Sequence, residues 1–164
     1  MSIKDQYLAN KCQEIESLIN DSKNWAETNA KLGAHLATYI NVVILGILED
    51  CIEYLVKARA RATGDTGIEN YISKDIKESF KNPDYGKICS LLNKFSDTYS
   101  ARFQKKFNKG CLEYDALDGL LRNKTNVAHY GLANLTLSVG DVEIYFKGAV
   151  NVLEEIEDLL VTNP

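Results

Sequence analysis

Apolar residues recur at steps of three and four along most of this chain, the spacing of one buried helix face. Leu8, Cys12, Ile15, Leu18 and Ile19 mark a first amphipathic helix over residues 3 to about 20, and Asn20-Asp21-Ser22 either breaks or bends it ahead of Trp25. A second, long helix spans roughly Asn29 to Ala62. Its centre, Tyr39-Ile40-Asn41-Val42-Val43-Ile44-Leu45-Gly46-Ile47-Leu48, is apolar nearly all round. Such a helix is buried on several sides in the middle of a bundle, or also meets a partner. Glu49, Asp50 and Glu53 end the apolar run, and Lys57, Arg59 and Arg61 suit the negative C-terminal end of the helix.

Thr63-Gly64-Asp65-Thr66-Gly67 is a loop. A short helix from Ile68 to about Phe80 follows, and Asn82-Pro83-Asp84 turns the chain again. Ile88, Leu91, Leu92, Phe95, Tyr99 and Phe103 predict one helix from Tyr85 or Gly86 that Gly110 closes. The next helix runs from near Glu113 to Tyr130-Gly131. Residues 135–139 alternate apolar and polar, which with Gly140-Asp141 offers a hairpin. Ser138 followed by Asp141 offers a variant helix capping box instead, and Ile144, Val150, Leu153, Ile156, Leu159 and Leu160 keep a helical period to the end. The helix is the preferred reading. The pattern predicts an all-α bundle of about five helices, one domain over residues 1–164, with no repeat or linker to divide it.

Composition narrows the function classes. The chain has 164 residues, enough for a real core, and only two prolines, Pro83 and Pro164, so little interrupts its helices. There is no run of about 18 apolar residues, and Lys4, Asp5 and Lys11 stand where a signal peptide would be apolar. Both point to the cytoplasm and away from a membrane. Cys12, Cys51, Cys89 and Cys111 are scattered and only two histidines occur, a poor basis for zinc, so reduced thiols and neither metal nor cofactor are expected. A net charge of −4 argues against indiscriminate coating of nucleic acid. The charge is uneven, however: Lys57 to Lys124 holds 14 Lys and Arg against 9 Asp and Glu. Arg102, Lys105, Lys106 and Lys109 form the densest basic patch, interleaved with Phe103 and Phe107, and cations among aromatics suit a single RNA strand. A solvated helix surface explains the same excess, and Phe95, Tyr99 and Phe103 at spacing four fit a core.

The candidate chemistry sits in Leu120-Leu121-Arg122-Asn123-Lys124-Thr125-Asn126-Val127-Ala128-His129. At ~100° per residue, Leu117, Leu120, Leu121, Val127 and Ala128 make a core stripe, and Arg122, Asn126 and His129 fall opposite, in a sector about 60° wide. RNA carries its own nucleophile, the 2′-hydroxyl. Cutting it without metal needs a base near that hydroxyl, positive charge at the phosphorane and a donor to the leaving oxygen. Histidine serves as base or acid, and arginine forks onto phosphate oxygens. Asn123 and Asn126 would orient them. One copy supplies a single His at this site, so two copies across a two-fold axis would complete it.

Arg122-Asn123 through Ala128-His129, with the trailing Leu137-to-Leu160 segment, resembles the signature of the HEPN superfamily, and more narrowly its RiboL-PSP-type branch. The resemblance implies a metal-independent endoribonuclease that pairs its motif helices in a homodimer and leaves a 2′,3′-cyclic phosphate. It also implies a toxin or phage-defence role, with RNA as substrate and an antitoxin or inhibitory protein as partner. The branch's usual spacing is shorter, and in that frame Lys124 takes the place of Arg122. The family often has an acidic residue on the central helix near the site, here Glu49 after Gly46. Some members carry a regulatory Tyr two positions beyond the His; this chain has Gly131 there and Tyr130 one earlier, so that regulation is not carried over.

Plainer readings stand beside these. Asp118 lies four residues before Arg122, as in an ordinary helix ion pair, and His129 near the helix end suits the terminal dipole. His35, among Leu32, Leu36 and Tyr39, reads as a core or interface histidine. The rival function is a non-catalytic HEPN-fold interaction or regulatory protein, using the same face to bind protein. Walker-type loops, HExxH and a nucleophile elbow are absent.

Overall fold

The long apolar stretch of the sequence becomes the helix around which the others pack. In the computed structural model, which describes residues 3–130 and 137–162, α2 (Ala30–Arg61) contacts α1 (Gln6–Thr28), α3 (Thr66–Ser79), α6 (Leu112–Tyr130) and α7 (Val139–Glu157). Between α3 and α6 lie α4 (Tyr85–Phe95) and α5 (Asp97–Lys106), and a π-helical turn, Asp158–Thr162, follows α7. By length and composition α2 could cross a membrane, with a mean hydropathy of 1.5 over its most apolar window. In the bundle, one side of it carries Ile40, Ile44, Leu48, Cys51, Ile52 and Leu55 into the core. All seven α-helices are described without a strand beside them, so the fold is an all-helical bundle among the described residues.

Local chemistry explains most boundaries. Asp5, Asn29, Asp65, Asp84, Ser96 and Ser138 each cap a helix by accepting from backbone N–H groups of its first turn. Ser138 and Asp141 form the reciprocal capping box expected from their spacing, and residues 139–146 are helix rather than hairpin. Two predicted boundaries differ. Asn20-Asp21-Ser22 neither breaks nor ends α1, because Ser22 is buried in the bundle and the helix runs on to Thr28. The single helix predicted from Tyr85 to Gly110 is two, since Ser96 turns extended (φ −165°) and caps α5 anew. Among the described residues seven α-helices stand where about five were predicted.

α6 and α7 form an antiparallel pair in unusually close contact. A Cβ on Gly148 would lie 2.5 Å from the Ala116 Cβ, and one on Gly119 would lie 2.6 Å from the Tyr145 ring. Asn151 Nδ2 donates to Glu113 Oε1 at 2.8 Å, fixing the far end of the same pair. Lys23 Nζ meets Glu143 Oε2 at 2.9 Å, so the C-terminal part of α1 sits beside the start of α7. The end of α6, the start of α7 and the α1–α2 turn therefore share one end of the bundle. That end carries the motif.

Candidate active site

α6 is buried along its first three turns and then emerges. Ala116, Leu117, Gly119 and Leu120 are buried, and Leu121 is half-buried. No side chain from Arg122 to His129 is buried. The stripe predicted from periodicity thus stops early: among the described residues Val127 is only half-buried and Ala128 is exposed. Asn41, 1% exposed in the middle of α2, donates from Nδ2 to the Leu120 carbonyl at 3.0 Å, one residue before the stretch becomes exposed. Its Oδ1 has no hydrogen-bond partner among the described residues. A buried amide in an apolar run is costly unless bonded, so this contact pins the level at which α6 meets α2.

Arg122, Asn126 and His129 are all exposed. Their spacing puts Arg122 and His129 within ~20° of one another around the helix and ~10 Å apart along it, with Asn126 between. Arg122 Nη1 lies 3.5 Å from Asp118 Oδ2, both side chains 63% exposed. An exposed pair at that spacing stabilises by only ~0.3–0.5 kcal/mol, so a phosphate can displace the carboxylate at little cost. Asp115 and Asp118 are exposed toward the start of the same face, and the last two turns of α6 carry no carboxylate.

Asn123 and Lys124 do not share that face. Asn123 is about 100° around from Arg122, on the side where Ala116 and Gly119 meet α7, and its Nδ2 is buried without a hydrogen-bond partner among the described residues. Lys124 is turned about 140° from His129 and its ammonium donates to Asn82 Oδ1. Of the two possible frames for the motif, the face of His129 is shared by Arg122. Tyr130 ends α6, its side chain lies outside the described residues, and so does Gly131.

Glu49 and Lys124, separate suggestions in the sequence, meet through a residue that sequence reasoning passed over. Asn82 takes a left-handed backbone (φ 50°), which Asn tolerates better than most residues. Its N–H donates to Glu49 Oε2 at 2.7 Å while its side chain accepts from Lys124, and Lys81 Nζ donates to Glu49 Oε1 at 3.1 Å. Glu49 is thereby engaged in holding the α3–α4 turn, on the side of α6 turned away from His129. The Asn-Pro-Asp sequence announces the turn between α3 and α4, but nothing in it shows that Asn82 bridges Glu49 on α2 and Lys124 on α6.

The basic patch lies at the other end of the molecule. Arg102 reaches both Glu155 (2.9 Å) and Asp158, and Lys106 lies 2.6 Å from Glu155, itself 3% exposed on α7. Sixteen residues of α6 separate Glu113, level with Asn151, from His129, a rise of ~24 Å, and Glu155 is a further turn away. Lys105 and Lys109 are exposed at that far end. Phe103 and Phe107 are buried, edge to face at 5.0 Å, so they belong to the core and are not open to bases. Two of the four predicted RNA cations are therefore engaged by α7, and none joins the motif.

Burial pushes the Cys12 thiol up to about 11 and the Cys51 thiol up to about 12, so neither is a nucleophile at neutral pH. Among the described residues no group of three or more His, Cys, Asp or Glu is placed to hold a metal ion.

Comparison with known proteins adds little that bears on this site. No protein-family model and no solved structure matches the chain. A stretch of 59 residues is 39% identical to the ATP synthase gamma chain of Campylobacter lari (strain RM2100), covering 32% of this chain. The chain spans only 20% of that relative's length. A likeness over a third of the sequence establishes no family.

Proposed function

We propose that the chain is a HEPN-type, metal-independent endoribonuclease working in the cytoplasm as a homodimer, with a toxin or phage-defence role. The observation that carries the proposal is the exposure of Arg122, Asn126 and His129 together on the last two turns of α6. Those turns offer a guanidinium, an amide and an imidazole to a second molecule or to RNA. With two copies facing across a two-fold axis, His129 of one would take the proton of the 2′-hydroxyl. The oxygen would attack the adjacent phosphorus, and His129 of the other would protonate the departing 5′-oxygen, leaving a 2′,3′-cyclic phosphate. Arg122 would hold the nonbridging oxygens as charge builds on the phosphorane, and Asn126 is placed to orient either group. Asn123, turned toward α7, would act on the helix rather than on RNA. Purified protein incubated with tRNA and mixed RNA in EDTA, beside His129→Ala, tests this. Cleavage by the wild type that falls ~10²–10⁴-fold in the variant is expected. Equal cutting by both, or none by either, refutes it.

A second reading draws on Asp115 and Asp118, exposed on the motif face, and on the placement of the basic patch at the far end of the molecule, which brings none of its cations beside the motif. In it the same face binds protein, as a non-catalytic HEPN-fold partner or an antitoxin-like subunit would. Arg122→Ala would then spare RNA and weaken a complex.

A further inference from the structure

We infer that the outer face of the α1–α2 pair docks a second copy of this chain, helix against antiparallel helix, with Tyr39 of each copy seated over the other's Gly46. This stands apart from the ribonuclease reading. Leu32, Leu36, Tyr39, Val43 and Gly46 follow one another at steps of four and three, the spacing of a coiled-coil seam, on the side of α2 turned to solvent. Tyr39 is 60% exposed, Leu32 37% and Val42 39%, and Leu36, Val43 and Ile47 are half-buried. α1 extends the same surface. Tyr7 stacks on Tyr54 at 4.6 Å along this side, and Leu18 and the 60%-exposed Trp25 follow Tyr7 at helical repeats. Beyond Ile47 the seam turns charged, with Asp50, Lys57 and Arg61. The apolar part is therefore bounded.

Gly46 indicates what covers it. A mid-helix glycine on an exposed face costs ~1 kcal/mol against alanine. A Cβ there would meet nothing within 4 Å, so no neighbour in the bundle requires the glycine. A bulky side chain of a second copy seated at this point would. Seating Tyr39 over the second copy's Gly46 puts the two-fold axis between Val42 and Val43. The same register brings His35 across from the second copy's Asp50, a hydrogen-bond donor facing an acceptor, at both ends of the seam. A prominent ring, a notch, an imidazole and a carboxylate are thus matched by one symmetry operation, as an isologous contact requires. Asn41, which holds α6, is about 160° around α2 from Tyr39. This contact is therefore separate from any meeting of motif helices, and two such isologous contacts together would build a closed tetramer or an open chain.

The test is disulfide trapping of the full chain. Val43→Cys, beside the proposed axis, is expected to cross-link copies under mild oxidation well above the wild-type background. Adding Tyr39→Glu should cut that yield at least tenfold and lower the mass seen by light scattering, with helicity unchanged. A monomeric wild type overturns the proposal. So does trapping from Asp118→Cys on α6 but not from Val43→Cys, or a monomer that instead floats with phosphatidylcholine vesicles. Trapping that persists while RNA is left intact refutes the ribonuclease reading alone.

Discussion

Asp141 shows how single residues set the frame of the site. Its carboxylate accepts from the Ser138 hydroxyl and then from the Ser138 backbone N–H, and both hold its pKa below the usual carboxylate value. A depressed pKa adds stability above the unfolded-state value, and that stability is lost as pH falls through the folded one. Asp141→Ala is therefore expected to cost about 1 kcal/mol at pH 7 in urea melts. The difference from wild type should shrink as the pH drops through the acid range. An equal deficit at pH 7 and at pH 2.5 would contradict the capping role. At this scale the sequence made much legible: the capping box, and the shared direction of Arg122 and His129, follow from spacing alone. Whether Val127 and Ala128 are covered did not, because burial depends on a neighbour reaching them. The roles of Asn41 and Asn82 were hidden for the same reason.

Among elements, the α6–α7 contact positions the motif, and Gly148 governs it. An added methyl would lie 2.5 Å from the Ala116 Cβ with the Leu112 carbonyl at 3.3 Å, and neither can rotate away. Gly148→Ala should destabilise by ~1–3 kcal/mol in urea melts despite the better helix propensity of alanine. Gly119→Ala should cost less, since the obstructing Tyr145 ring is a side chain that can move. A neutral or stabilising Gly148→Ala would mean that the helices are not so close. Helix positions were largely legible because the apolar period is strong and the caps are ordinary Asp, Asn and Ser. Ser96 escaped notice because the apolar spacing of Leu92, Phe95, Tyr99 and Phe103 continues across it, although the backbone turns there.

For the whole molecule, the arrangement separates what the sequence grouped. Helical periodicity could assemble Arg122, Asn126 and His129, which share one helix, and the all-helical class followed from the same signal. It could not place Arg102, Lys105, Lys106 and Lys109, because the level of α5 against α7 is set by Glu155 and Asp158 far along the chain. Glu49 likewise faces the α3–α4 turn and Lys124 in place of the motif. On the proposed ribonuclease reading, RNA would meet only the exposed turns at one end of the bundle, and Arg122 and His129, in place of a broad basic groove, would supply the chemistry. Arg122 is exposed and its ion pair with Asp118 lies at the surface, so Arg122→Ala should shift stability by no more than about 0.5 kcal/mol. The most direct measurement is of the 3′ ends left when a defined RNA is incubated with the protein in EDTA. Ends that are 2′,3′-cyclic phosphates, absent with an equally stable His129→Ala, are the result expected. Fragments ending in a 3′-hydroxyl, or cyclic ends produced undiminished by the variant, would show that His129 does not cut RNA.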